Sequence, residues 1–393
     1  MMTEKLYYAD SHMKEFIARV TDCVQVKDRF EIVLDRTAFF PEGGGQAGDS
    51  GYIGTVRVFD THEKNGEVVH YAESTLDCGA EYSCRIDWEQ RFRRMQNHSG
   101  EHIVSGLVNK KYGYSNIGFH MGSDCVTIDF DGFLTPEQLA EIEREANHAV
   151  AANLGISCTF PDEETLKTLS YRSKLDLTEN VRIVEIEGID LCACCAPHVY
   201  STAEIGMIKI LSSERRRRGG EGVRVSMLCG LDAYDNLVVT HDNNAAISVL
   251  LSAKRESTAQ ATERILSEQE KLKSKISSLS RALSECRADA VSPTDGNICI
   301  FDDVLDEPAL RELVNALVPK CGGIAAVFSG SDDTGYRYIM GSKSVNLRAA
   351  AKELNAGIGG RGGGSPEMIQ GSCTEKAANI VKFLADFAYC TYK

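Results

Sequence analysis

The chain has 393 residues, 43% of them hydrophobic and 25% charged, and a formal net charge of -14. That length predicts two or three domains rather than one core. The composition excludes a fibrous repeat or wholesale disorder, and the acidic balance excludes a surface that binds polyanions everywhere, so a nucleic acid would need a local basic patch. The amino terminus, MMTEKLYYADSHMKEF, lacks the apolar core of a signal peptide, and no stretch reaches about 18 uninterrupted apolar residues, which predicts a cytoplasmic protein. Most of the 14 cysteines are scattered singly and read as reduced thiols, apart from Cys192, Cys194 and Cys195, which crowd just before His198.

In chain order, Phe16 to Tyr71 alternates in short apolar runs broken by Asn65-Gly66, a hairpin signal, and predicts a small β-barrel domain over 1–89. From about Gln90 the period changes: Phe92, Met95, Ser99, Ile103, Gly106 and Leu107 trace one face of a helix ending near Tyr112-Gly113. A second helix starts at Thr135, where Pro136 suits the first helical position and Gln138 completes a capping box. Its stripe is Leu139, Ile142, Ala146 and Val150. Strand-like ISCTF and VRIVEI then lead into the cysteine-rich loop, which makes 90–238 an α+β domain.

Residues 239–292 predict a helical linker. Between about Ala245 and Ala290 there is neither glycine nor proline, and Ile265, Leu272, Ile276, Leu279, Leu283 and Cys286 recur at spacings of seven, three and four, as in a coiled-coil seam. The same stripe would suit a helix packed on its own domain. Pro293 ends it. Residues 293–393 alternate strands with helices and predict a compact α/β domain carrying the glycine-rich loop GIGGRGGGSPEMIQGS. The fold class is therefore α+β and multidomain.

His98 and His102 lie four apart on the predicted helix, so both imidazoles project from one face and can share an ion. Cys194 and His198 repeat that spacing after a strand. Thiolate plus imidazole is a preferred donor set for Zn2+, so the four residues together are the expected zinc ligands. Cys192 and Cys195 could replace Cys194 on spacing alone. His98-Ser99-Gly100-Glu101-His102 also fits the H-x-x-E-H pattern of inverted zinc peptidases, with Glu101 as base, but that reading leaves the cysteine-histidine loop and the glycine-rich segments without a role.

Gly43-Gly44-Gly45 before Gln46 would let backbone N–H groups approach a substrate, with the Gln46 amide aimed at a carbonyl or a water; the alternative is an ordinary tight turn. Arg215, Arg216, Arg217 and Arg218 form a basic run suited to phosphates, or else a solvated face, and Arg91, Arg93 and Arg94 would add to it. In the last domain, Gly360, Arg361, Gly362 and Gly363 would offer backbone amides to phosphate.

Four segments in the same order resemble the editing domain of alanyl-tRNA synthetase and its freestanding relatives, the AlaX group of alanyl-tRNA editing proteins. TAFFPEGGGQAGDSG resembles the family's T-x-F-Y-P-E-G-G-G-Q-x-x-D-x-G, RRMQNHSGEHIVSG its H-T-x-x-H-L-L motif, and CCAPHVYSTAEIGMIKI its C-G-G-T-H motif with the following T-x-x-I-G-x-x-K-I stretch. GGRGGGSPEMIQGS resembles the signature of the C-terminal domain called C-Ala, related to the DHH-associated domain. Cys195 and Ala196 depart from the usual two glycines, and Pro197 from the usual threonine.

The resemblance implies the long AlaX form: barrel, editing domain of the threonyl/alanyl-tRNA synthetase type, helical linker and C-Ala. It implies a hydrolase that deacylates tRNA(Ala) mischarged with serine or glycine, and a chain that starts at the barrel predicts no aminoacylation. It also implies Gln46, Thr37 and Cys194 as catalytic residues, Thr37 reading the serine hydroxyl, and it implies tRNA contacts from Arg94, the Arg215–Arg218 run and the Gly360–Gly363 segment. Because four protein ligands fill a tetrahedron, zinc is expected to position substrate, with one ligand labile. The helical linker or the C-terminal domain offers a surface through which a homodimer could form, the oligomeric state itself staying open at this point. The competing class is a zinc-stabilised tRNA-binding protein without activity; a DHH-type nuclease lacks its Asp-His-His motif here.

Overall fold

The structure is a computed structural model that describes residues 2–173, 181–216 and 221–387. The chain divides into two compact units, Met1–Asn244 and Ala245–Lys393.

In the first unit, strands Glu15–Val26, Arg29–Leu34, Glu67–Ala72, Val56–Lys64, Gly51–Ile53 and Glu81–Ile86 close in that order into a barrel. Alternation places Val20, Ile32, Leu34, Ile53, Val58 and Ile86 inside. Asn65 (φ 52°) and Gly66 (φ 81°) form the two-residue turn between Val56–Lys64 and Glu67–Ala72, both in the left-handed region that such a hairpin requires.

His70 is wholly buried in this barrel. Its Nδ1–H donates to the Ile32 carbonyl at 3.0 Å, and the Thr37 hydroxyl donates to its Nε2 at 2.9 Å. A neutral ring satisfies both bonds, and burial pushes its pKa down to about 4. The unfolded chain therefore binds a proton that the folded chain refuses between pH 6.5 and about 4. Stability is full above pH 6.5 and falls as pH drops, by about 3 kcal/mol in total. Chemical denaturation of wild type and His70→Gln at pH 7 and pH 4.5 checks this: the fall should be smaller in the variant, and equal falls would contradict it.

The barrel's last strand runs through Asp87 into helix Trp88–Tyr112, ended by left-handed Gly113 (φ 73°). This helix is buried on most sides, and its middle carries His98, Ser99, Glu101, His102 and Ser105 into the interior. Against it lies an antiparallel sheet ordered Ile208–Arg215, Val223–Cys229, Val126–Phe130 and Asn116–Met121, together with a three-stranded sheet of Ile156–Thr159, Ile183–Ile186 and Asp190–Ala193. Helix Pro136–Ala152 begins with the Thr135–Gln138 capping box, with Leu139, Ile142, Ala146 and Val150 buried.

The glycine-free, proline-free segment is two helices rather than one. Gly230–Leu250 ends in a break at 251–257, where Ser252 takes φ 49°, and Thr258–Asp289 follows. Along the second helix the seam splits between the two readings. Leu283 and Ala288 pack on Leu310 and Leu313 of helix Glu307–Leu317, whereas Ile265, Leu272, Ile276 and Leu279 stay exposed.

The second unit's sheet runs Ile298–Phe301, Ala325–Ser331, Gly335–Gly341, Met368–Cys373 and Gly360–Gly364. The glycine-rich signature is thus an edge strand hydrogen-bonded to Met368–Cys373, not a loop. A Cβ at Gly362 would come within 2.3 Å of the Gln370 carbonyl oxygen and the Tyr338 hydroxyl, so close strand packing accounts for that glycine.

Candidate metal centre and cavity

Four donor groups converge. One ligand atom each from His98, His102, Cys194 and His198 lies within 4.8 Å of the others, although the two pairs are almost a hundred positions apart. The Cys194 sulfur sits 3.5 Å from His98 Nε2 and 3.5 Å from His198 Nε2. On the far side of each imidazole, Nδ1 has a partner: Gln46 Oε1 at 3.0 Å for His98, Asp190 Oδ2 at 2.9 Å for His102 and Ser99 Oγ at 3.0 Å for His198. These bonds turn every Nε2 toward the sulfur, the arrangement that metal-binding histidines use to fix tautomer and orientation.

Burial alone would raise the Cys194 thiol pKa; the surrounding imidazoles, His98 first, outweigh it and hold the group well below its ordinary range, as a thiolate ligand requires. The donor set of three imidazoles and one thiolate fits a tetrahedral soft-metal site. Cys192 belongs instead to a second group with His102 and Asp190, and Cys195 is exposed.

Asp190 lies in that second layer by construction. Gly106 leaves no room for a side chain, since a Cβ there would stand 2.7 Å from the Ile189 carbonyl oxygen and 2.8 Å from the Asp190 Cβ. The loop therefore presses against the helix one turn from His102. Arg172 grips Asp190 through two 2.7 Å bonds. Burial opposes the Asp190 charge, but His102 and Arg172 overcome it and hold its pKa at about 2. Asp190→Asn keeps the shape and loses the charge; metal affinity is expected to fall roughly 10- to 100-fold, read by competition with a chelator. An unchanged affinity would remove Asp190 from the site.

Arg182 holds the ligand loop from behind, its Nη1 donating to the Cys194 and Ala196 carbonyls at 2.9 and 2.8 Å. A cavity of about 260 Å³ opens beside the donors, lined by His98, His102 and Cys194 together with Tyr8, Glu101 and Phe160. A larger hollow of about 590 Å³ beside Arg93 and Arg94 contains none of the donors, so the smaller cavity is the candidate site.

Other expected site residues stand elsewhere. Thr37 is fully buried in the barrel, its hydroxyl taken by His70 and by the Phe39 N–H at 3.1 Å, and it does not line the cavity. Gln46 is also buried off the cavity and touches His98, with its Nε2 unpartnered among the described residues. The glycine run is a tight turn closed by Gly43 and Gln46, with Gly44 (φ 60°) on the cavity wall and Gly45 (φ 84°) pressed against Phe119. The departing residue Cys195 brings its sulfur to 3.4 Å from a Cβ built on Gly44, so a thiol covers this turn.

The arginines near His98 are engaged within the protein. Arg91 is buried in an ion pair with Asp49, Arg93 meets Glu89, Asp232 and Asp235, and Arg94 donates to the Gly48 carbonyl at 2.7 Å. The reading of Arg91 as part of a phosphate-facing patch is corrected accordingly: it lies inside, so its charge had to find an internal partner, whereas Arg93 is partly exposed and engaged by surface acids. Arg216 pairs with Asp129, and Arg215 is exposed over the Phe133 ring. Arg217 and Arg218 lie outside the described residues. Arg361 is exposed on the edge strand Gly360–Gly364, with Gly362 and Gly363 beside it.

Residues 2–90 match the family model "tRNA synthetases class II (A)", residues 181–223 that of the threonyl and alanyl tRNA synthetase second additional domain, and residues 295–389 the DHHA1 domain. The chain is 29% identical to the alanyl-tRNA editing protein AlaX-L of Pyrococcus horikoshii over 96% of both chains. It is 24% identical to an alanyl-tRNA editing protein of Rattus norvegicus over 96% of both. Alanine–tRNA ligase of Halobacterium salinarum is 33% identical over 94% of this chain, which spans 42% of that enzyme's length.

Proposed function

We propose that the chain, similar over nearly its whole length to alanyl-tRNA editing proteins of the long AlaX form, is an aminoacyl-tRNA deacylase that hydrolyses the ester of mischarged tRNA(Ala), chiefly Ser-tRNA(Ala) and also Gly-tRNA(Ala). The observation that carries the reading is the convergence of His98, His102, Cys194 and His198, the first three of them on the wall of a cavity of about 260 Å³. Zinc is the metal that this donor set fits, and when bound it supplies a fixed positive charge for the substrate's oxygens.

The ester is already activated, so the protein's work is to orient it, exclude competing geometries and admit one water. Gln46, Asp190 and Ser99 act through the histidines they orient. Glu101, a buried carboxylate on the cavity wall that accepts from Ser105 and Asn116, is the candidate partner of the aminoacyl group's α-ammonium. The hydroxyl of serine must be read by polar groups of the cavity, because an apolar pocket separates serine from alanine poorly. For tRNA, the exposed Arg215 and Arg361 are the candidate contacts. The exposed Ile265, Leu272, Ile276 and Leu279 support pairing with a second copy, and no helix among the described residues is long and apolar enough to cross a membrane.

The test is multiple-turnover deacylation of Ser-tRNA(Ala) and Ala-tRNA(Ala) by the purified full chain. Catalytic release of serine with alanine spared is expected. Tight tRNA binding with no turnover would instead establish the non-catalytic reading.

A further inference from the structure

We propose that Phe160, backed by Tyr8, is the stacking platform that receives the terminal nucleobase of the acylated RNA at the mouth of the donor-lined cavity. This deepens the editing reading and rests on it.

Size sets the problem. Pockets that enclose a whole drug-sized molecule run from about 300 to 1,000 Å³, whereas this cavity holds about 260 Å³. An ester bond that reached His98, His102 and Cys194 would put the aminoacyl group inside the cavity, and the base attached to its ribose would then lie toward the rim.

Phe160 lines the same cavity, and 52% of its surface is open to solvent. It follows directly on strand Ile156–Thr159, whose pairing with Ile183–Ile186 fixes the backbone that carries it. Its ring meets Tyr8 edge to face, with centroids 5.3 Å apart. Tyr8 is immobilised in turn, 4.6 Å from the buried Tyr7 ring and with the Arg182 guanidinium 5.3 Å from its own. Arg182 is the same residue that clamps the Cys194 and Ala196 carbonyls. One rigid assembly therefore connects the exposed ring to the metal-donor loop, and a base stacked on Phe160 would be held in a fixed relation to the ester.

An exposed aromatic ring held on a rigid support matches the way proteins grip single-stranded nucleic acid. Every base has a π face, and loss of one stacking partner weakens binding roughly tenfold to a hundredfold. Edge-to-face packing on Tyr8 satisfies one part of the Phe160 ring and leaves the rest for such a partner.

The experiment titrates the metal-loaded full chain by calorimetry with two non-hydrolysable probes: the seryl amide of 3′-amino-3′-deoxyadenosine, and the same seryl amide on a ribose without a base. Phe160→Ala should weaken the adenosine probe about tenfold and leave the baseless probe unchanged. Phe160→Trp should restore the adenosine probe, with metal content equal in all three proteins. With Ser-tRNA(Ala), Phe160→Ala should raise KM and spare kcat. Equal weakening of both probes, or no weakening of either, overturns the platform while wild-type deacylation leaves the editing reading standing. A wild type that neither binds the probes nor deacylates overturns both.

Discussion

Cys194→Ser is expected to lose bound metal and to lower deacylation of Ser-tRNA(Ala) by roughly a hundredfold or more, since even second-layer partners of metal ligands contribute 10- to 100-fold. The hydroxyl that replaces the thiol is a harder and far less acidic donor, so it offers no thiolate to the ion. Three buried imidazoles would then face one another without the anion that brings them together. Metal analysis and steady-state kinetics on the same preparation read the effect. Cys192→Ser and Cys195→Ser serve as comparisons, because neither thiol belongs to the four-donor group. Their metal content should stay near wild type. Equal loss on replacing Cys195 would transfer the ligand role to it.

The second large effect concerns folding. Arg91 and Asp49 are each about 1% exposed and bonded to each other, and Asp49 also accepts from the Phe40 N–H at 2.8 Å. Arg91 belongs to the helix of His98 and His102, while Asp49 ends the segment that begins at Thr37 and contains Gly43 to Gln46. This pair therefore fastens the Gln46 loop to the histidine helix. Arg91→Ala strands a buried carboxylate and is expected to destabilise the first unit by about 3–5 kcal/mol. The combined change Arg91→Ala with Asp49→Ala should recover part of that loss, because the stranded carboxylate is gone, and only part of it, because Arg94 then loses its Asp49 contact at 3.7 Å. Denaturant melts of the two variants check the result; a single variant as stable as wild type would show that the pair holds nothing.

Local features of the fold were legible in the sequence because their causes are local. The Thr135–Gln138 capping box, the Asn65-Gly66 turn and the Gly113 helix stop each depend on a few adjacent residues. The two donor pairs were legible for the same reason, each being four residues apart, His98 and His102 on one helix and Cys194 and His198 in the loop after strand Asp190–Ala193. What joined them was not. Asp190 is 88 positions from His102, and Gln46 is 52 from His98, so neither bond leaves a mark in sequence spacing.

Charge misled where burial reversed its meaning. Arg91 and Arg93 read as a basic face, yet Arg91 is buried against Asp49 and Arg93 is engaged by Glu89, Asp232 and Asp235 at the surface. Thr37 carried an expected role in reading the substrate, but its hydroxyl serves a barrel histidine. The glycine run at Gly360–Gly364 read as a phosphate loop, while tight pairing beside Tyr338 explains Gly362. The helix break at 251–257 had no glycine or proline to announce it, because Ser252 takes the left-handed conformation itself. Phe160 and Arg182 gave no signal beyond being an aromatic and a cation near strands, since only folding brings them to the cavity.

The claim on which the rest depends is that one ion is held by three imidazole nitrogens and the Cys194 sulfur. X-ray absorption at the zinc edge of the purified protein measures that directly. The account predicts one sulfur at about 2.3 Å and three nitrogens at about 2.0–2.1 Å, with the sulfur contribution gone in Cys194→Ser. A shell of two or more sulfurs, or a metal surrounded only by oxygen, would contradict it.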